Sequence, residues 1–307
     1  MGEASKSAFV PLALRVIRGF STCEGQGVVV GLRGSSVRSK GAFSCSGAGA
    51  LPGSATSALA SLLREREAEG HRDHAVVLEL GGGEPGGDLR WVGEAISWLG
   101  RHGRRGIVRT DRVLPRAVVE AARDAGAAVV LRVASLDPSV QSALLGPAAD
   151  SAPRLLLGAQ HLRAQGVPVA VLIAPLLPVL HRDAELEGLA RSIAAADLEH
   201  VAFAVGGWSL ERHRALAAVL PSSDVAGIAR AFRVYEPGDV VGRVRLGARE
   251  ATLLHRHAVR VAHGVSLTVG GCGCDAQCTL APSSAAPSSA TPFQSLLAPD
   301  LFGSLTG

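Results

Sequence analysis

The sequence predicts an α/β protein organised around a parallel sheet, on three observations. Short apolar segments rich in Val, Leu and Ile alternate with longer segments of helical period. The strand candidates are continuous apolar runs, as in strands of a parallel sheet buried on both faces, and lack the polar/apolar alternation of a half-exposed sheet. A chain of 307 residues, 47% hydrophobic and 19% charged, is long enough to bury a sizeable core in one large barrel or two ordinary domains.

The elements follow in order. "VVVGL" (28–32) is a strand, and residues 54–69 form a helix opened by a serine cap. "HAVVLEL" (74–80) is a strand ending in "GGGEPGG", followed by a helix over 89–102. "GIVRT" (106–110) precedes a helix over 115–124, with proline at its first position. "AAVVLRVAS" (127–135) leads into helices over 138–143 and 151–165. "VPVAVLIAP" (167–175) and a helix over 184–195 come next, then "HVAFAV" (200–205) and a helix over 209–219. These are six β-α units, which periodicity allows to close as a barrel or to open as a doubly wound sheet.

Beyond the units the pattern changes. Residues 222–265 are mixed, with "RVYEPGDVVGRVRLG" suggesting a hairpin and "EATLLHRHAVRVAHG" a helix. "VSLTVGGCGCDAQC" reads as a strand running into a cysteine cluster. The organisation is thus an N-terminal extension (1–27), the β-α body (28–221), a C-terminal extension (222–278) and a Ser/Ala/Pro-rich tail (279–307). The first half of the tail has no period and reads as a flexible linker, ending in a short apolar docking segment.

Charge and composition exclude several classes. The net charge of +4 comes from arginines spread through helical segments, which reads as a solvated surface and not as a nucleic-acid footprint. The longest apolar run, "VPVAVLIAPLLPVL", is too short for a bilayer and is interrupted by prolines. The N-terminus lacks a signal-peptide pattern because Arg15 and Arg18 interrupt its apolar part, so a cytoplasmic location is expected. Five cysteines, three within "CGCDAQC", argue for metal or redox use over a disulfide framework.

In a parallel β-α protein, chemistry sits at the carboxyl ends of the strands. There the chain places "RGSSVRSKGA", then "GGGEP", then Arg132, Ser135 and Asp137, then "IAP" and "VGG". A glycine turn after a strand brings backbone close to a ligand, and Glu84 adds a carboxylate suited to an ammonium group. Cys272, Cys274 and Cys278 are dense enough to form a ligand set. A fourth ligand would come from Cys45, Cys23, a histidine such as His263, or substrate. His255 and His257 fall on different faces of a helix, which argues against a shared metal.

The segment "LRGSSVRSKGA" resembles the cluster loop of the radical SAM superfamily, a strand leading into CxxxCxxC, often written "LRGCNLRCPGC". "GGGEP" is similar to that family's GGE motif. The run from "LRVASLDPS" to "GVPVAVLIAPLLP" resembles the spore photoproduct lyase-like branch, where "SLTTLD", a helix and "G(I/V)PVGVLVAPVIPG" recur in this order. The resemblance covers about residues 28–219.

It implies a partial (β/α)6 TIM-like barrel and a [4Fe–4S] cluster that takes an electron from an external donor. The cluster reductively cleaves S-adenosylmethionine to a 5′-deoxyadenosyl radical, which abstracts hydrogen from a substrate. The resemblance further implies that Gly82, Gly83 and Glu84 hold the methionine amino group. Arg132 and Ser135 would reach its carboxylate or the ribose, and Ile173 would pack on adenine. Cys272, Cys274, Cys278 and Cys45 would carry an auxiliary iron–sulfur cluster, with zinc as the alternative metal.

The sequence departs from the family at the ligands themselves, because Ser35, Ser39 and Ala42 stand in the three cysteine places. Serine and alanine do not supply the soft thiolates that an iron–sulfur cluster takes. Deliberate replacement by near-isosteres is favoured, because Arg33, Gly34 and the surrounding frame are kept; natural loss in a pseudoenzyme is the other origin. A loop that never bound anything would leave its pairing with "GGGEP" a coincidence. A non-catalytic protein binding S-adenosylmethionine, a partner or an auxiliary cluster is the alternative function. A non-radical enzyme would need an acid/base pair, for which only Asp137 and Glu84 offer themselves. The expected substrate is a small molecule or a peptide.

Overall fold

The computed structural model describes residues 14–22, 25–32, 55–71, 73–80, 89–234 and 242–270. Ser35, Ser39, Ala42, Cys45, Gly82, Gly83, Glu84, Cys272, Cys274 and Cys278 lie outside the described residues.

The chain begins with a hairpin. β1 (Leu14–Thr22) runs antiparallel to β2 (Gly25–Leu32), with a register shift between Val16 and Arg18. Residues 1–27 were read only as an N-terminal extension, and β1 lies within it. The irregularity at Ile17 breaks the alternation by which an edge strand is recognised, so no period of two is visible there.

The β-α units then follow: α1 (Ala55–Ala68), β3 (Asp73–Leu80), α2 (Arg90–Arg101), β4 (Arg105–Thr110), α3 (Arg116–Asp124) and β5 (Ala128–Val133). Next come α4 (Pro138–Leu145), α5 (Ala152–Ala164), β6 (Val169–Leu176), α6 (Asp183–Ala195) and β7 (His200–Val205). Pro115 is the extended cap of α3, φ −62° and ψ 151°, one position before the place expected for it. After β7 come β8 (Trp208–Ser209), α7 (Leu210–Ala217), α8 (Ser222–Ala231), β9 (Arg243–Val244), α9 (Ala248–Gly264) and β10 (Thr268–Val269). The expected hairpin after residue 233 is corrected in part: β9 pairs antiparallel with the distant β8. α8 was not anticipated. No helix among the described residues is long and apolar enough to cross a membrane.

The sheet order is β1-β2-β3-β4-β5-β6-β7-β10, and every pair from β2 onward is parallel. This order decides between the two architectures left open by periodicity. A doubly wound sheet reverses its strand order at a switch point, whereas here each crossover advances by one strand in the same direction. Same-handed crossovers moving one way put every helix on one face, and the sheet curls toward a barrel. It does not close, because β1 and β10 are its two edges among the described residues.

The side chains show the two faces. Val76, Leu78, Val108, Val129, Leu131, Val171, Ile173, Val201 and Phe203 belong to the large core shared with α1, α2, α3, α5, α6 and α9. The alternate residues of the same strands are smaller: Ala75, Val77, Ile107, Ala128, Val130, Ala170, Leu172, Ala174 and Ala202 form a separate cluster on the inner face. A concave face brings side chains together, so short ones fill it. A third cluster joins Ala134 and Leu177, just past β5 and β6, to Trp208, Leu216, Val225, Ile228 and Phe232. It caps the carboxyl ends of β5–β7, while those of β2–β4 carry the segments 33–54, 81–88 and 111–115.

Candidate functional site

Strand parity builds the site. Val77, Ile107 and Val130 face the inner side, and two residues later on each strand stand Glu79, Arg109 and Arg132. Register makes them neighbours: Glu79 lies opposite Arg109, and Thr110 opposite Leu131, which brings Asp111 beside Arg132. The four side chains form one ion-pair ladder across the carboxyl ends of β3–β5. Arg109 pairs with Glu79 through Nη2 and Oε2. Arg132 reaches Glu79 with Nη1 at 3.2 Å and Asp111 with Nη2 at 2.6 Å.

The ladder is mostly shielded from water, with Asp111 at 2% side-chain exposure and Arg132 at 21%. Burial pushes the Arg109 guanidinium below its usual value, and the charge of Glu79 opposes the shift. Among the described residues of the ladder, two cations and two anions balance. A charged ligand entering here must therefore displace a like charge, whereas a ligand end carrying both signs exchanges partners at no net charge. Arg132 Nε is buried and has no hydrogen-bond partner among the described residues.

Beside the ladder, the turn after β5 is held by a buried polar network. Asp137 accepts from the amides of Ser139 at 2.7 Å and Val140 at 3.2 Å, capping α4. Gln141 Oε1 accepts from the amides of Ala134 and Ser135, at 2.8 and 3.1 Å. Ser135 Oγ donates to Glu185 at 2.7 Å and accepts from the Asp137 amide at 3.1 Å. His181 is buried, with Nε2 at 2.8 Å from the Ala134 carbonyl and Nδ1 receiving the Leu177 amide at 2.9 Å. That donor pattern fixes the Nε2–H tautomer, and burial lowers the His181 pKa from its ordinary value.

The sequence-derived site residues are thus distributed unequally. Arg132 stands in the ladder, facing the inner side. Ser135 is 2% exposed and its hydroxyl is engaged twice within the turn, so it positions the turn and is not presented to a ligand. Ile173 is 1% exposed in the core between sheet and helices. The β6 side chains on the inner face are its neighbours Leu172 and Ala174. Asp137 is committed to its helix cap. His255 lies edge-on to Phe203, whereas His257 Nε2 pairs with Asp183 at 2.7 Å.

Sequence reading missed Glu79, Arg109 and Asp111. A signal was present: "VVLEL", "GIVRT" and "VVLRV" each carry a single charged residue at the second-to-last position of an apolar strand.

No family model matches the chain, and no curated protein does. Among solved structures, the chain is similar to a spore photoproduct lyase complexed with dinucleoside spore photoproduct. The TM-score is 0.48 at 14% identity, over 70% of this chain and 64% of that one. The match therefore spans less than two thirds of the lyase. The archaeal Elp3 of Methanocaldococcus infernus follows at TM-score 0.43 and 12% identity, over 70% of this chain and 61% of that one. A domain of pyruvate-formate lyase-activating enzyme from Bacteroides vulgatus gives 0.40 and 14%, over 63% and 98%. At this identity and overlap these matches say nothing of activity, and the architecture rests on the chain's own strand order.

The fold is an α/β partial barrel whose mostly parallel sheet does not close among the described residues. Two groups implied by the sequence resemblance fare differently. A [4Fe–4S] cluster does not fit the donor set after β2, because Ser35, Ser39 and Ala42 offer no thiolate. The amino-acid end of S-adenosylmethionine carries an ammonium and a carboxylate, the two kinds of charge that the ladder pairs, and the buried Arg132 Nε has no hydrogen-bond partner among the described residues. β2 and β3 are parallel neighbours, so segments 33–54 and 81–88 both start from the end of the sheet where the ladder lies.

Proposed function

We propose that the chain is a radical SAM-type protein that binds S-adenosylmethionine at the carboxyl ends of β3–β5 and whose primary cluster site is disabled. The observation that carries this reading is the balanced ladder of Glu79, Arg109, Arg132 and Asp111. In this reading Arg132 turns toward the ligand carboxylate, and Asp111 and Glu79 are released to share the ligand ammonium with Glu84. Gly82 and Gly83 bring backbone to that ammonium. Leu172 and Ala174 form the apolar floor. When bound to an intact cluster, S-adenosylmethionine supplies a 5′-deoxyadenosyl radical in this superfamily; no step of that kind is assigned to the chain with Ser35, Ser39 and Ala42 in place. The substrate class stays a small molecule or a peptide.

A second reading, a non-catalytic protein, is favoured by those same three positions. In it the barrel mouth holds S-adenosylmethionine or a partner, and Cys272, Cys274 and Cys278 with Cys45 hold an auxiliary iron–sulfur cluster or zinc. Support for the auxiliary site is the direction in which the described chain ends. β10 is parallel to β7, so the described chain ends, at Gly270, toward the same end of the sheet as the ladder.

Titration calorimetry with S-adenosylmethionine tests the shared core of both readings. Binding is expected in the unaltered chain, weakened at least about tenfold in Arg132→Met, for the loss of about 1.4 kcal/mol or more of a charge-assisted contact. Equal affinity in the two proteins, with Arg132→Met folded, refutes the site.

A further inference from the structure

Outside the barrel mouth, the charge surplus of the chain is concentrated in one stretch. Residues 206–264 hold nine arginines and five carboxylates, an excess of four that equals the +4 of the whole chain, so the remainder is neutral. The surplus that reads as spread along the sequence is therefore local. Elsewhere in the helix layer, Arg116, Arg123, Arg154, Arg163 and Arg191 each pair with a carboxylate. On α9, Arg249, Arg256 and Arg260 are exposed and have no ion pair among the described residues. The ion pair that α9 does make, from His257 to Asp183 at 2.7 Å, leaves those arginines out.

α9 has two sides of opposite character. Its inward side packs on β7 through His255, edge-on to Phe203, and through the buried Ala258 and Ala262. On the outward side Arg249, Leu253, Arg256, Arg260 and His263 follow at intervals of four, three, four and three residues, so they form one stripe. At about 1.5 Å per residue the stripe is about 21 Å long. All five residues are exposed, Leu253 by 56%. No carboxylate interrupts the stripe, because Glu250, the one acid of α9, folds back over Gly247 in the first turn. Like charges four residues apart repel along a helix, and an anionic partner relieves that repulsion. The chain has little of its own to supply it, since residues 271–307 carry only Asp275 and Asp300.

Nucleic acid, an anionic lipid surface and an acidic protein segment each present negative charge. Leu253, between Arg249 and Arg256, decides among them. A phosphate backbone makes no use of an apolar side chain, and the stripe has no Phe, Tyr or Trp on which a base would stack. A helix that lies in a membrane surface carries a whole apolar face, not a single leucine. A protein interface does set an apolar anchor among arginine contacts. Carboxylates on a partner helix also recur at steps of three and four residues, which matches the stripe.

We infer that the outward face of α9 docks an acidic helical segment of a partner protein, with carboxylates on Arg249, Arg256 and Arg260 and an apolar side chain on Leu253. The inference is independent of ligand binding at the barrel mouth, because α9 lies on the helix side of the sheet.

Fluorescence anisotropy on the full chain tests it, with a labelled peptide of about 16 residues, long enough to follow the stripe. The peptide is built from Glu, Ala and Leu, with glutamates at steps of three and four and one leucine among them. A scrambled peptide of the same composition is the control. Saturable binding that weakens as salt rises is expected. Arg256→Glu with Arg260→Glu should weaken it at least about tenfold, and Leu253→Ser and the scrambled peptide each about fivefold. The replaced side chains are exposed, and circular dichroism and the urea midpoint check that the variants stay folded. No saturable binding up to about 1 mM peptide overturns the inference. So does binding that neither replacement alters. Tighter binding of a thymidine oligonucleotide or of phosphatidylserine vesicles than of the peptide assigns the stripe to phosphates and likewise overturns it.

Discussion

The two faces of the central sheet are made by the same strands and do opposite work. Toward the helices, β3–β7 present Val, Leu, Ile and Phe, all inside one large core. Toward the inside they present mostly alanines, then a rank of charges at the carboxyl end. The helix side gains stability from volume and is indifferent to which aliphatic supplies it. The inner side keeps volume low and holds charge in a shielded place, which stability does not require. Ion pairs of this kind rarely outperform apolar packing of the same size, and this is one ground for the proposed ligand site.

Replacements on the two faces should therefore fail differently. The largest effect is expected on the helix side, where Ile173→Ala should cost about 4 kcal/mol by leaving a cavity beside fully buried neighbours. Urea unfolding would read that loss, with ligand affinity little changed. On the inner side, Glu79→Met should cost about 3 kcal/mol by removing the anion that Arg109 and Arg132 share. Adding Arg109→Met to Glu79→Met should recover part of it, because the charge is balanced again. If the double replacement is worse than the single one by the full amount, the ladder is not a charge-balancing device.

A smaller effect belongs to the buried turn after β5. Gln141→Ala leaves the amides of Ala134 and Ser135 without their acceptor and should cost about 2 kcal/mol. That change should also weaken ligand binding through misplacement of the turn, where Ile173→Ala should not.

Acid should sharpen the contrast further. Burial lowers the pKa of His181, His200 and His255, so below the ordinary histidine value of about 6.5 the unfolded chain takes up protons before the folded one. Stability contributed by these neutral histidines is present above that pH and lost as pH falls toward their folded values, by at most about 1.4 kcal/mol per pH unit for each. Urea midpoints measured from pH 8 to 5 should fall, and His181→Asn should flatten the slope. A slope unchanged by that replacement would mean that His181 does not titrate with unfolding.

Much of this fold was legible in the sequence because parallel β-α units leave period and punctuation behind. Every strand from β2 to β7 was visible as an apolar run. β1 was not, since its irregularity at Ile17 erases the alternation. β9 was placed in a local hairpin because its actual partner, β8, lies far away in sequence. α8 was hidden by a short apolar face of Val225, Ile228 and Ala229 interrupted by Gly227. The site was half legible. Arg132 stood out, but its partners become visible only when register sets Glu79 against Arg109 and Asp111 beside Arg132. Ile173 and Ser135 show the limit of motif position, because the face of a strand and the commitments of a hydroxyl belong to the folded chain.

The central claim is a barrel that keeps its ligand end while its cluster loop lacks ligands. Its most direct test restores the thiolates with Ser35→Cys, Ser39→Cys and Ala42→Cys in one chain. The protein is then reconstituted with iron and sulfide without oxygen and assayed for 5′-deoxyadenosine from S-adenosylmethionine under a strong reductant. The account predicts about four added iron atoms per chain over the unaltered protein, with 5′-deoxyadenosine formed only by the restored chain and lost again with Arg132→Met. No added iron and no 5′-deoxyadenosine from a folded, restored chain would contradict it.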